Sequence, residues 1–266
     1  MCYGCIYHLL QRQEEISNFQ CIKQISVTEP QTKCFMRNIS TRWQRRHAAK
    51  LNKQNRGAEM KYIFLHGMGQ NASSWDKTIS FLSDTTEAVC PELSDFFSEG
   101  NCNYSKIYTS FREYCSGFSE PLDICGLSLG AVLALNYAID FPQNVRSLIL
   151  AAPQYDMPKF LLKVQNVLFR FMPESQFKNI GFTKNDFITL TNSMADMDFT
   201  SGLDKVNCPV LILCGEKDYV NKKAAVKLSK KLPKAKFGTL DKSGHEVNVD
   251  DPKGLADAIK EFYGKS

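Results

Sequence analysis

Apolar runs alternate with helical patterns along most of the chain. Five runs are almost continuously apolar: 62–67, 122–128, 145–153, 209–218 and, more weakly, 235–244. Strands buried on both faces of a parallel sheet have this composition. The segments between them show helical patterns at about 73–83, 104–118, 129–140, 221–231 and 251–263. The alternation predicts an α/β fold with a mostly parallel, doubly wound sheet and right-handed crossovers.

One segment interrupts this alternation between two predicted strands. Its apolar residues recur at helical spacing, at Phe160, Leu161, Val164, Val167, Leu168 and Phe171. Thr183 then offers an N-cap for a second helix in this segment. Far along the chain, the helical pattern at about 251–263 has a similar start, with Asp250 or Asp251 as its N-cap and Pro252 in its first turn. A helical pair in this place predicts a cap, over about residues 154–200, above the carboxyl edge of the sheet.

Residues 1–59 differ from the rest of the chain. They are rich in Gln, Asn, Arg and Lys and show no sustained period of a strand or a helix. They hold ten basic and four acidic residues, net +6, whereas the remainder holds 23 basic and 24 acidic residues, net −1. Met60 directly precedes the first predicted strand. We therefore expect a folded domain over residues 60–266, preceded by a disordered or non-native extension.

Charge and hydropathy exclude several partner classes. No apolar run approaches the roughly 18 residues of a membrane span, so no transmembrane segment is expected. The main body gives no electrostatic reason to bind nucleic acid. The basic stretch 41–56, which includes Trp43, could bind it weakly, but a solvated run is the better explanation. We expect no nucleic-acid partner.

The ten cysteines do not form a disulfide or zinc pattern. Cys125 and Cys214 lie in apolar runs, where a free cysteine behaves as a small hydrophobe. Cys2 and Cys5 form one CxxC pair without a second pair at zinc-finger spacing. We therefore expect free thiols, no metal and a reducing, cytoplasmic location.

Candidate chemistry begins at Ser128, at the carboxyl end of the second predicted strand. The pentapeptide "GLSLG" places Ser128 between Gly126 and Gly130, which is the G-x-S-x-G spacing of a sharp strand-to-helix turn that exposes a nucleophilic serine. A solvated serine in a glycine turn is the alternative. A phosphate-binding loop is disfavoured because its lysine is absent.

A serine needs a base, and a base needs a group that fixes its tautomer. His245 lies in a loop between the last strand and the last helix, and Asp218 follows the preceding strand. Glu216 and Asp156 are alternative acids, and Asp218 is favoured by its place at the strand end nearest in sequence to His245. These positions predict a triad of Ser128, Asp218 and His245.

An oxyanion also needs two donors. The loop "HGMGQNASSW" follows the first strand, and Gly67 and Gly69 allow it to turn its amides inward. The amide of Met68 and that of Leu129, at the start of the helix after the serine, are the predicted oxyanion hole. His66 is expected to have a structural role.

The motifs "HGMGQNASSW", "GLSLG", "GEKDYV" and "SGHEV" resemble those of the α/β-hydrolase superfamily in its compact single-domain form, from Met60 to about Tyr263. The resemblance implies a serine hydrolase that forms an acyl-enzyme, with the triad and oxyanion amides named above and no cofactor. The cap residues Phe160, Leu161, Phe169, Phe171 and Phe177 suggest a small, largely apolar acyl substrate, although they could equally pack the cap.

The resemblance leaves other functions open. Carbon–carbon bond hydrolases, lyases of the menaquinone pathway, thioesterases and cofactor-free haloperoxidases share the fold, and fold does not select among them. A non-catalytic ligand-binding member is a further alternative. The two strands that often precede "YIFLHG" in the superfamily are missing or replaced by the N-terminal segment, so we expect a monomer or a homodimer.

Overall fold

The computed structural model describes residues 61–82, 87–97, 102–174, 177 and 182–264. Its sheet has six strands, all parallel, in the order β2-β1-β3-β4-β5-β6. The strands are β1 (Lys61–Leu65), β2 (Glu87–Val89), β3 (Leu122–Leu127), β4 (Val145–Ala151), β5 (Val210–Gly215) and β6 (Ala235–Leu240). The predicted α/β fold with a parallel sheet is therefore confirmed.

Helices connect consecutive strands, as parallel pairing requires. They are α1 (Asp76–Ser80), α2 (Tyr104–Cys115), α3 (Leu129–Asp140), α4 (Lys159–Phe171), α5 (Lys184–Met194), α6 (Tyr219–Lys231), α7 (Val247–Asp250) and α8 (Pro252–Gly264). Short 3₁₀ helices lie at Ala72–Trp75, Leu93–Phe96, Pro142–Asn144 and Thr200–Lys205. None of the helices within these described ranges is both long and apolar enough to cross a bilayer.

The central strands are continuous apolar runs because helices cover both of their faces. Every residue of β3 and β5 is buried. The one charge inside β3, Asp123, is compensated at the amino-terminal end of the sheet. It accepts hydrogen bonds from Arg146 and from Ser147, whose hydroxyl is 2.5 Å away.

Two elements near the start of the sheet differ from the sequence prediction. The strand β2 was not predicted, because its three residues are too few to show a period. The helix expected over about residues 73–83 is instead the 3₁₀ turn Ala72–Trp75 followed by the single turn α1. The predicted strands and longer helices elsewhere match to within a few residues.

Two predicted helix starts carry the expected caps. Thr183 and Asp186 form a reciprocal capping box at the start of α5. Asp251, rather than Asp250, caps α8 by accepting the N–H of Gly254 at 2.9 Å. The carboxylate of Asp250 instead accepts the N–H of Gly244, next to His245, at 2.6 Å.

The helices α4 and α5 form the cap between β4 and β5, and they share an aromatic cluster. Phe187 stacks edge-on against Phe169 and Phe177, with ring centroids 5.3 and 5.0 Å away. A Cβ at Gly69 would lie 3.7 Å from the Phe187 ring, so the cap lies against the loop that follows β1. Buried Phe169 and Phe177 therefore pack the cap.

Phe160 and Phe171, which were expected either to indicate an apolar substrate or to pack the cap, instead face solvent, with side chains that are 77% and 83% exposed. The side chain of Leu161 lies outside the described part of the structure. So do all predictions made for residues 1–59, including the extension itself, the Cys2–Cys5 pair and the basic stretch 41–56.

Candidate active site

The four predicted chemical elements lie at the carboxyl ends of four different strands. Met68 follows β1, Ser128 follows β3, Asp218 follows β5 and His245 follows β6. Because all strands are parallel, these ends share one edge of the sheet, where ligands bind in folds of this class.

Backbone strain and close packing shape the turn at Ser128. Its φ of 55° and ψ of −111° place a non-glycine residue outside the ordinary allowed regions. A Cβ at Gly126 would lie 2.4 Å from the carbonyl carbon of Gly130, and a Cβ at Gly130 would lie 2.3 Å from the carbonyl oxygen of Leu65. Both glycines are therefore required by close backbone approach, as G-x-S-x-G turns demand.

Asp218 and His245 are joined directly. The Nδ1 atom of His245 lies 2.7 Å from Oδ2 of Asp218, and both side chains are buried. The carboxylate has no proton to donate, so Nδ1 carries the hydrogen and donates it. In the neutral ring the other nitrogen, Nε2, is then the acceptor.

Ser128 and His245 each retain one unpaired polar atom. Among the described residues, Oγ of Ser128 and Nε2 of His245 are both buried and have no hydrogen-bond partner. The structure thus brings Asp218 and His245 together, but it does not join Ser128 to His245 by a hydrogen bond. Buried polar atoms without a partner are uncommon in folded proteins, and a catalytic role is one explanation for them.

A chain of two buried amides, Gln154 and Asn221, leads to the Asp218 carboxylate. The Nδ2 atom of Asn221 lies 2.8 Å from each carboxylate oxygen, and Nε2 of Gln154 donates to Oδ1 of Asn221 at 2.7 Å. Asn221 Nδ2 also lies 3.2 Å from Nδ1 of His245. Since Nδ1 is itself a donor, the amide hydrogens of Asn221 are directed to the carboxylate.

These contacts set the charge state of Asp218. Burial alone disfavours the carboxylate, but the hydrogen bond and charge of His245, with the amide of Asn221, outweigh burial and lower the pKa of Asp218 to about 2. The alternative acids lie elsewhere. Glu216 is exposed and accepts the N–H of Lys242 at 3.0 Å, and Asp156 is exposed where it pairs with Asp198 in a β-bridge.

The loop after β1 is fixed against the segment that carries His245. Gln70 and Asn248 exchange two side-chain amide hydrogen bonds, each 3.1 Å. The N–H of Gln70 closes a turn onto the carbonyl of Gly67 at 3.2 Å, and Gly69 has a φ of 92°, which favours glycine. A Cβ at Gly67 would lie 3.5 Å from Cβ of Ser128, so this loop borders the serine.

His66 supports the same loop. The N–H of Leu93 donates to its Nε2 at 3.1 Å, and its Nδ1 lies 2.9 Å from the carbonyl of Gly67. Nε2 is therefore an acceptor and Nδ1 a donor, and both ring nitrogens are used by the backbone. This arrangement agrees with the structural role expected for His66.

Sequence reasoning missed the amides of Gln154, Asn221, Gln70 and Asn248. Asn221 had one available signal, because Asp218 is the N-cap of α6 and the third helical residue faces the cap side chain. Gln154 and Asn248 contact residues 67 and 178 positions away in sequence, so no local pattern marks them.

A family model described as "Alpha/beta hydrolase family" matches residues 62–258. The chain belongs to this family. The matched region runs from Tyr62 in β1 to beyond the end of β6, so the fold is that of an alpha/beta hydrolase.

Individual relatives of this alpha/beta hydrolase have different activities in their names. It is 23% identical, over 75% of its length and 89% of the relative's, to a Bacillus subtilis (strain 168) protein provisionally named 2-succinyl-6-hydroxy-2,4-cyclohexadiene-1-carboxylate synthase. It is 21% identical to the Mus musculus monoacylglycerol lipase ABHD6, over 77% of the chain and 76% of the lipase. A thermophilic esterase from Thermogutta terrifontis superposes with a TM-score of 0.64 at 20% identity, covering 79% of this chain and 91% of the esterase.

Proposed function

We propose that the protein is a serine hydrolase that cleaves a carboxylic ester, or a related acyl bond, of a small and largely apolar substrate. One observation carries this proposal. Oγ of Ser128, on a strained turn, and Nε2 of His245, whose other nitrogen is held by Asp218, are buried at strand ends of one sheet edge without partners. We assign the activity to residues 60–266.

The proposed reaction passes through an acyl-enzyme. Nε2 of His245 takes the proton of Ser128 as Oγ attacks the substrate's carbonyl carbon. The main-chain N–H groups of Met68 and Leu129 stabilise the oxyanion by donating hydrogen bonds to it. The positive end of the helix dipole, at the N-terminus of α3, stabilises the same negative charge. His245 then gives its proton to the leaving oxygen as the acyl bond breaks. Water attacks the acylated Ser128 by the same route and restores the enzyme.

The buried side-chain amides next to Asp218 and next to the Met68 loop support this mechanism. A carboxylate with a low pKa stays charged at neutral pH and stabilises the imidazolium that forms when His245 takes the proton. The reciprocal Gln70–Asn248 pair holds the Met68 loop in register with the His245 segment. The thiol of nearby Cys214 does not compete as nucleophile, because burial raises its pKa to about 12.

Two further features support the substrate class and the location. The buried Phe187 ring, which packs on Phe169 and Phe177, makes the interior next to the proposed oxyanion loop apolar. The six cysteines in the described residues are free thiols, which agrees with a reducing cytoplasm.

A series of p-nitrophenyl esters of increasing acyl length tests the proposal. We expect wild-type protein to hydrolyse one or more short to medium esters, and Ser128→Ala to lose about 10³-fold or more in kcat. Ser229→Ala is the matched control, because its hydroxyl only bonds the carbonyl of Val226, and it should keep wild-type activity. Hydrolysis that survives in Ser128→Ala would contradict the proposal.

A carbon–carbon lyase is the second candidate, favoured by the synthase name of the Bacillus subtilis relative. It would use the same base and oxyanion donors without acylating Ser128. A slowly hydrolysed ester distinguishes the two candidates. Trapped acyl-Ser128, detected by mass spectrometry, supports the hydrolase, and its absence together with lyase turnover supports the synthase-like reaction.

A further inference from the structure

The cap helix α4 exposes an apolar stripe that an ordinary surface helix would bury. Its solvent side is apolar: Phe160 is 77% exposed, Val164 38%, Val167 51%, Leu168 41% and Phe171 83%. Its buried side includes two amides, Gln165 and Asn166, beside Leu162 and Phe169. A surface helix normally buries its apolar stripe and exposes its polar one. We call the five exposed apolar residues the α4 outer face.

The outer face is one continuous ridge. Its members are spaced by four, seven, eight and eleven residues from Phe160, which places them on one side of an α-helix. Phe160 and Phe171 stand at its two ends, about 16 Å apart along the axis. The other exposed large apolar residues of the described chain, Phe81, Tyr219, Phe237 and Val249, lie on separate elements.

Positive charge flanks this ridge. The helix carries Lys159, Lys163 and Arg170 and no acidic residue. Lys163 and Arg170 are exposed, and Lys159 pairs with Asp196 at 2.8 Å on the cap surface. An apolar helix face bordered by Lys and Arg, with Phe and Leu side chains, is typical of helices that lie in a lipid interface.

We propose that the α4 outer face docks on an anionic phospholipid surface. A row of Phe, Val and Leu side chains fits the acyl boundary of a bilayer, while the cations contact lipid phosphates. A second copy of the chain is a poorer occupant, because pairing two α4 helices would bring their basic residues together with no acid on either helix.

Docking of this face places the bilayer next to the proposed site. Phe169, on the buried side of α4, contacts Phe187, and Phe187 borders Gly69 in the loop after β1. Helix α4 and two aromatic rings, those of Phe169 and Phe187, thus lie between the lipid and that loop. The docking surface is independent of catalysis, and its test is separate from that of the proposed hydrolysis.

Vesicle co-flotation of the full chain tests the proposal. Vesicles of phosphatidylcholine with phosphatidylserine are compared with vesicles of phosphatidylcholine alone. We expect wild-type protein to bind the anionic vesicles more tightly. The double variant Phe160→Ser/Phe171→Ser should bind them at least about tenfold more weakly, because two apolar anchors are lost. Lys163→Glu/Arg170→Glu should lose the preference for phosphatidylserine.

Two variants serve as controls. Phe81→Ser removes a phenylalanine that is 44% exposed on another element, and it should bind as wild type. Ser128→Ala should also bind as wild type, so that a failed hydrolase proposal does not affect this result. The thermal midpoint of Phe160→Ser/Phe171→Ser should stay near that of wild type, because both rings are exposed.

Three results would overturn the proposal. They are absence of vesicle binding by wild type, binding by Phe160→Ser/Phe171→Ser that equals wild type, and a wild-type dimer in light scattering that this variant converts to monomer without any vesicle binding. The second result would assign the binding to another part of the chain, such as basic residues 1–59, and the third to contact between copies.

Discussion

Both oxygens of the Asp218 carboxylate accept hydrogen bonds from the side-chain amide of Asn221, at 2.8 Å each. The two residues are joined by one turn at the start of α6, and Asn221 is fully buried. Asn221 therefore positions the acid, which in turn orients His245.

Replacing Asn221 with leucine should lower both stability and kcat. The carboxylate would lose its amide donor and Gln154 would lose its acceptor, at a cost of about 1.5–3 kcal/mol in unfolding free energy. We expect kcat to fall about tenfold with KM nearly unchanged, since Asn221 acts through Asp218 rather than on the substrate. Urea unfolding and ester kinetics measure these effects.

The exposed Asn207 provides the control for Asn221. Its side chain bonds only the nearby carbonyl of Lys205, so Asn207→Leu should change the unfolding free energy by less than about 0.5 kcal/mol. Wild-type kcat in Asn221→Leu would show that the amide does not position Asp218.

Gly130→Ala should disrupt the turn that presents Ser128. A Cβ there would meet the carbonyl oxygen of Leu65 at 2.3 Å, so β1 and α3 would have to separate. Overpacking of this kind costs about 1–3 kcal/mol, and ester hydrolysis should fall with it. Gly264→Ala is the matched control, because a Cβ there meets nothing within 4 Å. Equal melting temperatures for the two variants would rule out the close packing.

Because the backbone at Ser128 is strained, we predict that Ser128→Gly stabilises the fold while it removes activity. Its φ of 55° suits glycine better than serine, so Ser128→Gly should raise the unfolding free energy by about 1 kcal/mol and abolish hydrolysis. Lys242 has a φ of 60° on the surface, and Lys242→Gly should stabilise similarly while activity persists. A destabilised Ser128→Gly would indicate that the turn is not strained.

The low pKa of Asp218 predicts a specific acid sensitivity. Its folded value of about 2 lies below the value near 3.9 of an unfolded aspartate, and the difference stabilises the fold by about 2.6 kcal/mol. This contribution is fully present above about pH 4 and is lost as the pH falls toward 2. The gap in unfolding free energy between wild type and Asp218→Asn should therefore close below pH 4. A gap that stays constant down to pH 2.5 would contradict the shift.

The core of the fold follows from local sequence because its strands and turns have local causes. The apolar runs of β3, β4 and β5 specify buried parallel strands. Gly126 and Gly130 mark the sharp turn at Ser128. By contrast, β2 is too short to show a period, and the partners of Asn221 and Gln70, which are Gln154 and Asn248, come from distant segments brought together only by the folded sheet.

The cap shows a second limit of sequence patterns. Periodicity correctly predicted a helix through Phe160, Val164 and Phe171, but it could not tell which neighbour covers the apolar stripe. In the structure, Phe169 enters the aromatic cluster with Phe187, and this contact turns the longer stripe toward solvent. The direction of a helical face depends on its neighbours, and these are not encoded within the helix.

Reaction of the folded protein with a fluorophosphonate, mapped by peptide mass spectrometry, tests the central claim most directly. We predict one phosphonylated residue, Ser128, with labelling lost in His245→Gln and after denaturation, because Oγ is activated only when His245 accepts its proton. No adduct on Ser128 in the folded wild-type protein, or equal labelling in His245→Gln, would contradict the account.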